Sequence, residues 1–167
     1  MGNDFDKSRF VVRIPVKAPA EKIFESWTTP AGLEHFFLRQ ASFRSRDEAE
    51  RKAKDKVQAG DTYLWRWHGY PDSTFEDGEV LEQNEKDRFR FRFGKAGICT
   101  VSIFQLEGET IVELLQENIP TDDKGFQNYH IGCKTGWTFY MANLKSMLEG
   151  GIDLRNRNEK IGEVISS

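Results

Sequence analysis

The sequence predicts an α+β fold in which one long helix lies across an antiparallel sheet, and three of its features carry that prediction. Strands and helices are segregated along the chain: one strand, two short helices, a run of about six strands, then the long helix. A period-two alternation recurs through the middle and is cleanest in Arg88–Phe93, where Phe89, Phe91 and Phe93 point one way and Arg88, Arg90 and Arg92 the other. Finally, Tyr129 to Glu149 carries Cys133, Trp137, Tyr140, Met141, Leu144, Met147 and Leu148 at helical spacing, closed by Gly150 and Gly151. So broad a stripe needs a sheet as its partner, with Thr138, Asn143, Lys145, Ser146 and Glu149 on the other side.

Taken in order, residues 1–7 are a polar lead-in. From Ser8 to Val16, Phe10, Val12, Ile14 and Val16 alternate with Arg9, Val11, Arg13 and Pro15, a strand whose proline suits an edge. Ala18 and Pro19 open a helix to about Trp27, with Glu21 near its positive end and Ile23, Phe24 and Trp27 on its buried side. Thr29 reads as the N-cap of a second short helix that starts at Pro30 and buries Leu33, Phe36 and Phe37. Gln40–Phe43 is a short strand. Residues 44–60 mix both charge signs densely and read as a solvated loop. Strand pattern returns with Tyr63, Trp65 and Trp67 on one face and Leu64, Arg66 and His68 on the other. Thr74–Glu82 alternates less cleanly, Arg88–Phe93 follows, and turns at residues 94–97 and 107–109 join Ile98–Leu106 to Thr110–Glu117 as a meander. Residues 119–128 connect to the long helix. The chain therefore forms a single domain over residues 8–151, followed by a polar tail, 152–167, whose last residues are expected to be disordered.

The 167 residues suffice to bury a core, and 13 Phe, 4 Trp and 4 Tyr make that core rich in rings. A formal charge of -3, without a long basic run, excludes a nucleic-acid field, and no apolar stretch is long enough for membrane insertion. The start, MGNDFDKSRF, lacks a secretory core, and Asp6 stands where a myristoylation signal needs Ser or Thr. With Cys99 and Cys133 as the only thiols, the expected compartment is the cytoplasm. His35, His68 and His130 lack metal-ligand spacing, so neither a metal nor a cofactor is expected. Cys133 lies on the apolar stripe, where an inert buried thiol is the expectation. There is no Gly-x-Ser-x-Gly elbow, and residues 94–97 are too short for a phosphate loop. The Arg88, Arg90 and Arg92 ladder reads as a solvated outer face that guards an edge.

Several segments carry a resemblance. Val16-Lys17-Ala18-Pro19, the helix Glu21–Trp27, the step Thr28-Thr29-Pro30 with Leu33, and the closing helix with Gly136-Trp137 and Leu144 through Glu149 resemble the START-like, or SRPBCC, superfamily with its helix-grip fold. Within it the chain is most similar to the branch related to the C-terminal domain of the activator of Hsp90 ATPase, over roughly residues 8–150. The resemblance implies a curved antiparallel sheet of about seven strands wrapped around the C-terminal helix. A curved sheet around a long helix leaves a gap between them, and its ring-rich inner face, with no recognisable catalytic set in the sequence, makes binding of a small hydrophobic, lipid-like or aromatic molecule without chemistry the expected function. Trp65, Trp67, Phe91, Trp137, Tyr140 and Met141 are the expected lining, with His130 as a polar contact. A partnership with Hsp90 or another chaperone is the competing reading, although the namesake's further N-terminal domain is not part of this chain. A cyclase or hydratase, which would need a buried Asp, Glu or His in the cavity, is the third. The open sheet edge leaves room for a homodimer.

Overall fold

The structure, a computed structural model, describes residues 4–164. Seven strands form one antiparallel sheet in the order β1-β7-β6-β5-β4-β3-β2. They are β1 (Phe10–Pro15), β2 (Gln40–Arg44), β3 (Thr62–Arg66), β4 (Glu76–Gln83), β5 (Arg88–Arg92), β6 (Ile98–Leu106) and β7 (Glu109–Glu117). The helices α1 (Ala20–Thr28) and α2 (Pro30–Phe36) carry the chain from one edge of the sheet to the other. After β7 come a single turn α3 (Asp123–Gly125), a π-helical segment (Phe126–Ile131) and the long helix α4 (Gly132–Leu148). The expected fold class is the observed one.

Local chemistry accounts for the joints. Between β6 and β7 only Glu107 (φ 49°) and Gly108 (φ 79°) intervene, a two-residue turn with positive φ at both positions, whose twist matches the flanking strands. Gly97 has φ 104°, and a Cβ there would lie 2.1 Å from the Glu117 carbonyl, so glycine alone fits. The uneven alternation of Thr74–Glu82 has its cause in a register shift between Val80 and Glu82 against β5. At the elbow, the Thr29 hydroxyl accepts from Gly32 N at 3.0 Å and donates to the Glu25 carbonyl at 3.0 Å. Thr29→Ala is expected to cost about 1 kcal/mol. That corresponds to a midpoint lower by about 2–4 °C in a thermal melt, and an unchanged midpoint would show that the cap contributes nothing.

Three expectations need correction. The loop 44–60 is not merely solvated. Val57 is fully buried with its N–H on the Thr28 carbonyl, and Arg51 donates twice to the buried Asp61 carboxylate at 2.8 and 2.9 Å. The arginine ladder of β5 lies on an interior strand of the sheet, so it is not an edge device; Arg88 and Arg92 pair across strands with Glu82 and Glu79. Asn143, placed on the outer side of the helix by periodicity, is 0% exposed. Its Nδ2 donates to the Phe36 carbonyl at 2.8 Å and to Asp153 at 3.1 Å, and its Oδ1 accepts from Leu154 N at 2.8 Å.

Asn143 thereby fastens the segment after α4, and Arg155 completes the attachment. Its guanidinium, 6% exposed as a residue, donates to the carbonyls of Glu34, His35 and Leu38 and to both oxygens of Asp153, at 2.8–3.1 Å. All five of its N–H groups are used, and two of the acceptors are the otherwise orphaned last carbonyls of α2. The last residues of the expected polar tail, 165–167, lie outside the described residues.

Candidate functional site

Helix α4 crosses the inner face of the sheet, and its start is unusual. Gly132 N donates to the Gln127 carbonyl, five residues back, so an extra residue is accommodated before the regular helix begins. That turn rotates His130 inward, 3% exposed, with Nδ1 2.9 Å from the Lys7 carbonyl. Because a carbonyl can only accept, Nδ1 carries the proton.

One turn further on, Gly132 and Gly136 lie on the same helix face, four residues apart, beside Cys133, Trp137 and Tyr140. A Cβ built on Gly136 would meet no atom within 4 Å, so the helix leaves open space there. The space is a hollow of about 360 Å³, walled by Phe37 from the end of α2, Trp67 just past β3, Phe93 just past β5, and Trp137 and Tyr140 of α4. Phe37 sits at the centre of the ring cluster, 4.8 Å from both Trp137 and Tyr140 and 5.8 Å from Trp67 between centroids. Phe93 closes the far side, 5.5 Å from Trp137. These separations suit edge and tilted ring packing. The mouth carries Tyr70 and Thr74 of the β3–β4 connection, Asn128 and Thr135 near the helix start, and Val164 of the C-terminal segment.

Beneath the hollow lies a buried polar node. Gln116 of β7, 0% exposed, accepts from Trp137 Nε1 at 2.9 Å and from the Cys99 thiol at 3.5 Å, and donates to the Ala96 carbonyl at 2.9 Å. It fixes the indole that forms the floor. Burial pushes the Cys133 thiol up to about 11 and the Tyr140 phenol up to about 12. Both are neutral at physiological pH, and no Asp, Glu, Lys, Arg or His lines the hollow among the described residues. The site is apolar, ring-walled and without charge.

The residues expected from sequence divide into three groups. Trp67, Trp137 and Tyr140 come together around the hollow. Trp65, Phe91 and Met141 are at most 1% exposed and belong to the close-packed core, with Trp65 and Phe91 in ring contact at 5.2 Å. His130 is elsewhere, among Phe5, Phe10 and Phe126, bordering a separate apolar hollow with Ile131 and Phe139. Phe37, Phe93 and Gln116 belong to the site without having been singled out for it. Phe37 and Phe93 each fall one residue past a regular element, and Gln116 is a polar residue on an inward strand position.

Two other features are weaker candidates. A groove of about 900 Å³ on the sheet beside Arg44, Leu64, Glu76, Asp77 and Lys95 is larger, but its charges are of both signs and Arg92 there is paired with Glu79 at 3.4 Å, as on a solvated surface. Among the described residues no group of three or more His, Cys, Asp or Glu side chains could hold a metal ion, and no helix is long and apolar enough to cross a membrane.

Comparison with known proteins places the fold. No curated protein matches the chain. Among solved structures it is similar to protein SSP2350 from Staphylococcus saprophyticus, at 22% identity, with a TM-score of 0.66 over 88% of this chain and 96% of that one. It is similar to the Aha1 dimer from Colwellia psychrerythraea at 21% identity, with a TM-score of 0.65 over 86% and 97% of the two chains. Protein MLL2253 from Mesorhizobium loti, at 16% identity, gives a TM-score of 0.65 over 85% and 97%. These likenesses carry the START-like helix-grip architecture. Residues 17–149 match the profile of the activator of Hsp90 ATPase homolog 1-like proteins, and the chain belongs to that family.

Proposed function

We propose that the protein binds one small, uncharged hydrophobic molecule, lipid-like or aromatic, in the hollow between the sheet and α4, without chemistry. The observation that carries this reading is the open space beside Gly136, walled by five aromatic rings and lined by no charged side chain. A volume of about 360 Å³ falls within the range of about 300–1,000 Å³ typical of small-molecule sites. The neutral lining favours binding over acid–base chemistry, since a cyclase or hydratase needs a carboxylate or imidazole at the reacting atoms. The free thiols Cys99 and Cys133 fit a cytoplasmic setting. A chaperone partnership rests on the family name, and no feature of this site favours it. A homodimer is compatible with the proposal, the Colwellia relative being a dimer.

The test uses a variant that folds at least as well as the parent. Gly136→Leu removes a helix-interior glycine, a gain of about 1 kcal/mol in propensity, and sends its side chain into the hollow. Native mass spectrometry of the purified protein should show a co-purifying species, and Nile red, an uncharged probe, should bind. In Gly136→Leu both are expected to be lost, with probe affinity at least about ten-fold weaker and a thermal midpoint no lower. Equal binding by parent and variant would place any ligand outside the hollow and end the proposal.

A further inference from the structure

Most polar side chains around the ring-walled hollow have an evident partner. Tyr70, Thr74, Asn128 and Thr135 are exposed at its mouth, where water satisfies them, and Trp67 is half-buried at the rim. Inside, the Trp137 N–H is taken by Gln116 at 2.9 Å, and the Cys133 thiol is only a weak donor. The Tyr140 hydroxyl is the exception. Tyr140 is 8% exposed, and its hydroxyl has no hydrogen-bond partner among the described residues. The indole N–H groups of Trp27 and Trp65 are also unpaired, but they are sealed in the core. The Tyr140 oxygen is not sealed, and the space that Tyr140 borders is the hollow. Burial, opposed by the nearby Arg155 charge, pushes this phenol up to about 12, so its proton stays in place at physiological pH.

From this arrangement we infer that Tyr140 sets the specificity of the hollow: its hydroxyl donates to one acceptor oxygen of the bound molecule, so the ligand is an uncharged carbonyl compound with an apolar body. The inference rests on the binding reading above and names the chemical class that the site prefers. A buried donor with a free proton disfavours a ligand that cannot pair it, so a pure hydrocarbon of the same shape is discriminated against. A carboxylate is disfavoured because no cationic side chain lines the hollow among the described residues. An alcohol would need an acceptor for its own proton, and the side chains of the ring walls offer none. A carbonyl oxygen carries no proton, and one donor satisfies it.

The test compares two probes of one shape, 2-acetylnaphthalene, which ends in C=O, and 2-isopropenylnaphthalene, which ends in C=CH2. Equilibrium dialysis against the full-length parent, Tyr140→Phe and Gly136→Leu gives the affinities. Each probe is compared with itself between proteins, which cancels their different solubility in water. Tyr140→Phe keeps the ring and should bind the ketone about five-fold more weakly, with the alkene bound equally or more tightly. The thermal midpoint of Tyr140→Phe should be no lower than the parent's, since the hydroxyl has no partner in the protein to lose. Equal ketone binding by parent and variant overturns the inference and leaves the binding reading standing. So does an equal loss of both probes, which would make Tyr140 a wall only, or a lower midpoint, which would show the hydroxyl bonded within the protein. If the parent binds neither probe, or Gly136→Leu binds both as well as the parent does, the binding reading fails and this inference falls with it.

Discussion

Replacing Arg155 with alanine is expected to lower the thermal midpoint by about 6–12 °C, corresponding to a loss of about 3 kcal/mol. The guanidinium sits where α2 ends, and it answers the Glu34 and His35 carbonyls that the helix leaves unpaired and the Leu38 carbonyl just beyond it. Alanine removes five hydrogen bonds at once and leaves those carbonyls and the Asp153 carboxylate without their shared donor. The loss is tempered by Asp153 itself, whose side chain is 20% exposed and can recover water. Arg155→Lys should retain less than half of the effect, because an ammonium has three donors and cannot span acceptors arranged for a planar fork. The pH dependence adds a check. Burial acts against the charge on Asp153, but hydrogen bonds from Arg155 and Arg157 and the Arg155 charge outweigh it, holding the carboxyl well below the usual carboxylate range. A depressed native value stabilises the fold above the unfolded value of about 4 and is lost as the solution is acidified towards the native one. The gap in midpoint between parent and Arg155→Ala should therefore be full at neutral pH and narrow below about pH 4. A variant with the parent's midpoint at neutral pH would show that the root of the C-terminal segment is not docked.

These effects mark where sequence reasoning stops. The apolar alternation of β5 and the cap at Thr29 are local signals, and the elements they announce are where expected. The alternation also placed Phe89 and Phe91 correctly, because burial of a strand face follows from the pleat alone. Gln116, Asn143 and Arg155 are different. Each is a polar residue made buriable by acceptors on a distant element, and periodicity reports where apolar residues recur, not where a carbonyl from α2 will be waiting. The site divides along the same line. Trp65 and Trp67 alternate identically in sequence, yet β3 ends at Arg66, which leaves Trp65 in the core and sends Trp67 to the rim of the hollow. Gly136 reads as a weak point in a helix, and only the open space around it shows that the missing Cβ makes room. The π-helical turn, which carries His130 away from the hollow, shifts the helical phase by one residue and has no counterpart in a 3.6-residue pattern.

Trp137 joins the core to the hollow, and Trp137→Ala is expected to cost about 3–5 kcal/mol while abolishing Nile red binding. Its indole meets Trp27 at 5.9 Å and Phe91 at 6.2 Å on the core side, and Phe37 at 4.8 Å and Phe93 at 5.5 Å along the wall. Alanine would merge the hollow with a new cavity whose neighbours cannot all collapse into it. Such a loss alone does not separate packing from the polar node, and the more telling variant is Trp137→Phe. It keeps a ring in place but leaves Gln116 Oε1 with only the long Cys99 contact at 3.5 Å, at an expected cost of about 1–2 kcal/mol. The buried indole N–H groups of Trp27 and Trp65 have no acceptor among the described residues, so this coupling is a property of Trp137 and not of tryptophan burial in general. Gln116→Leu should cost a similar amount, since it strands the Trp137 N–H and the Ala96 carbonyl. In the double variant the indole and amide disappear together, so the two losses should fall short of their sum by about 1 kcal/mol, read from denaturant unfolding of the four proteins. Strict additivity would mean that Gln116 does not hold the indole, and that the floor of the hollow is set by ring packing alone.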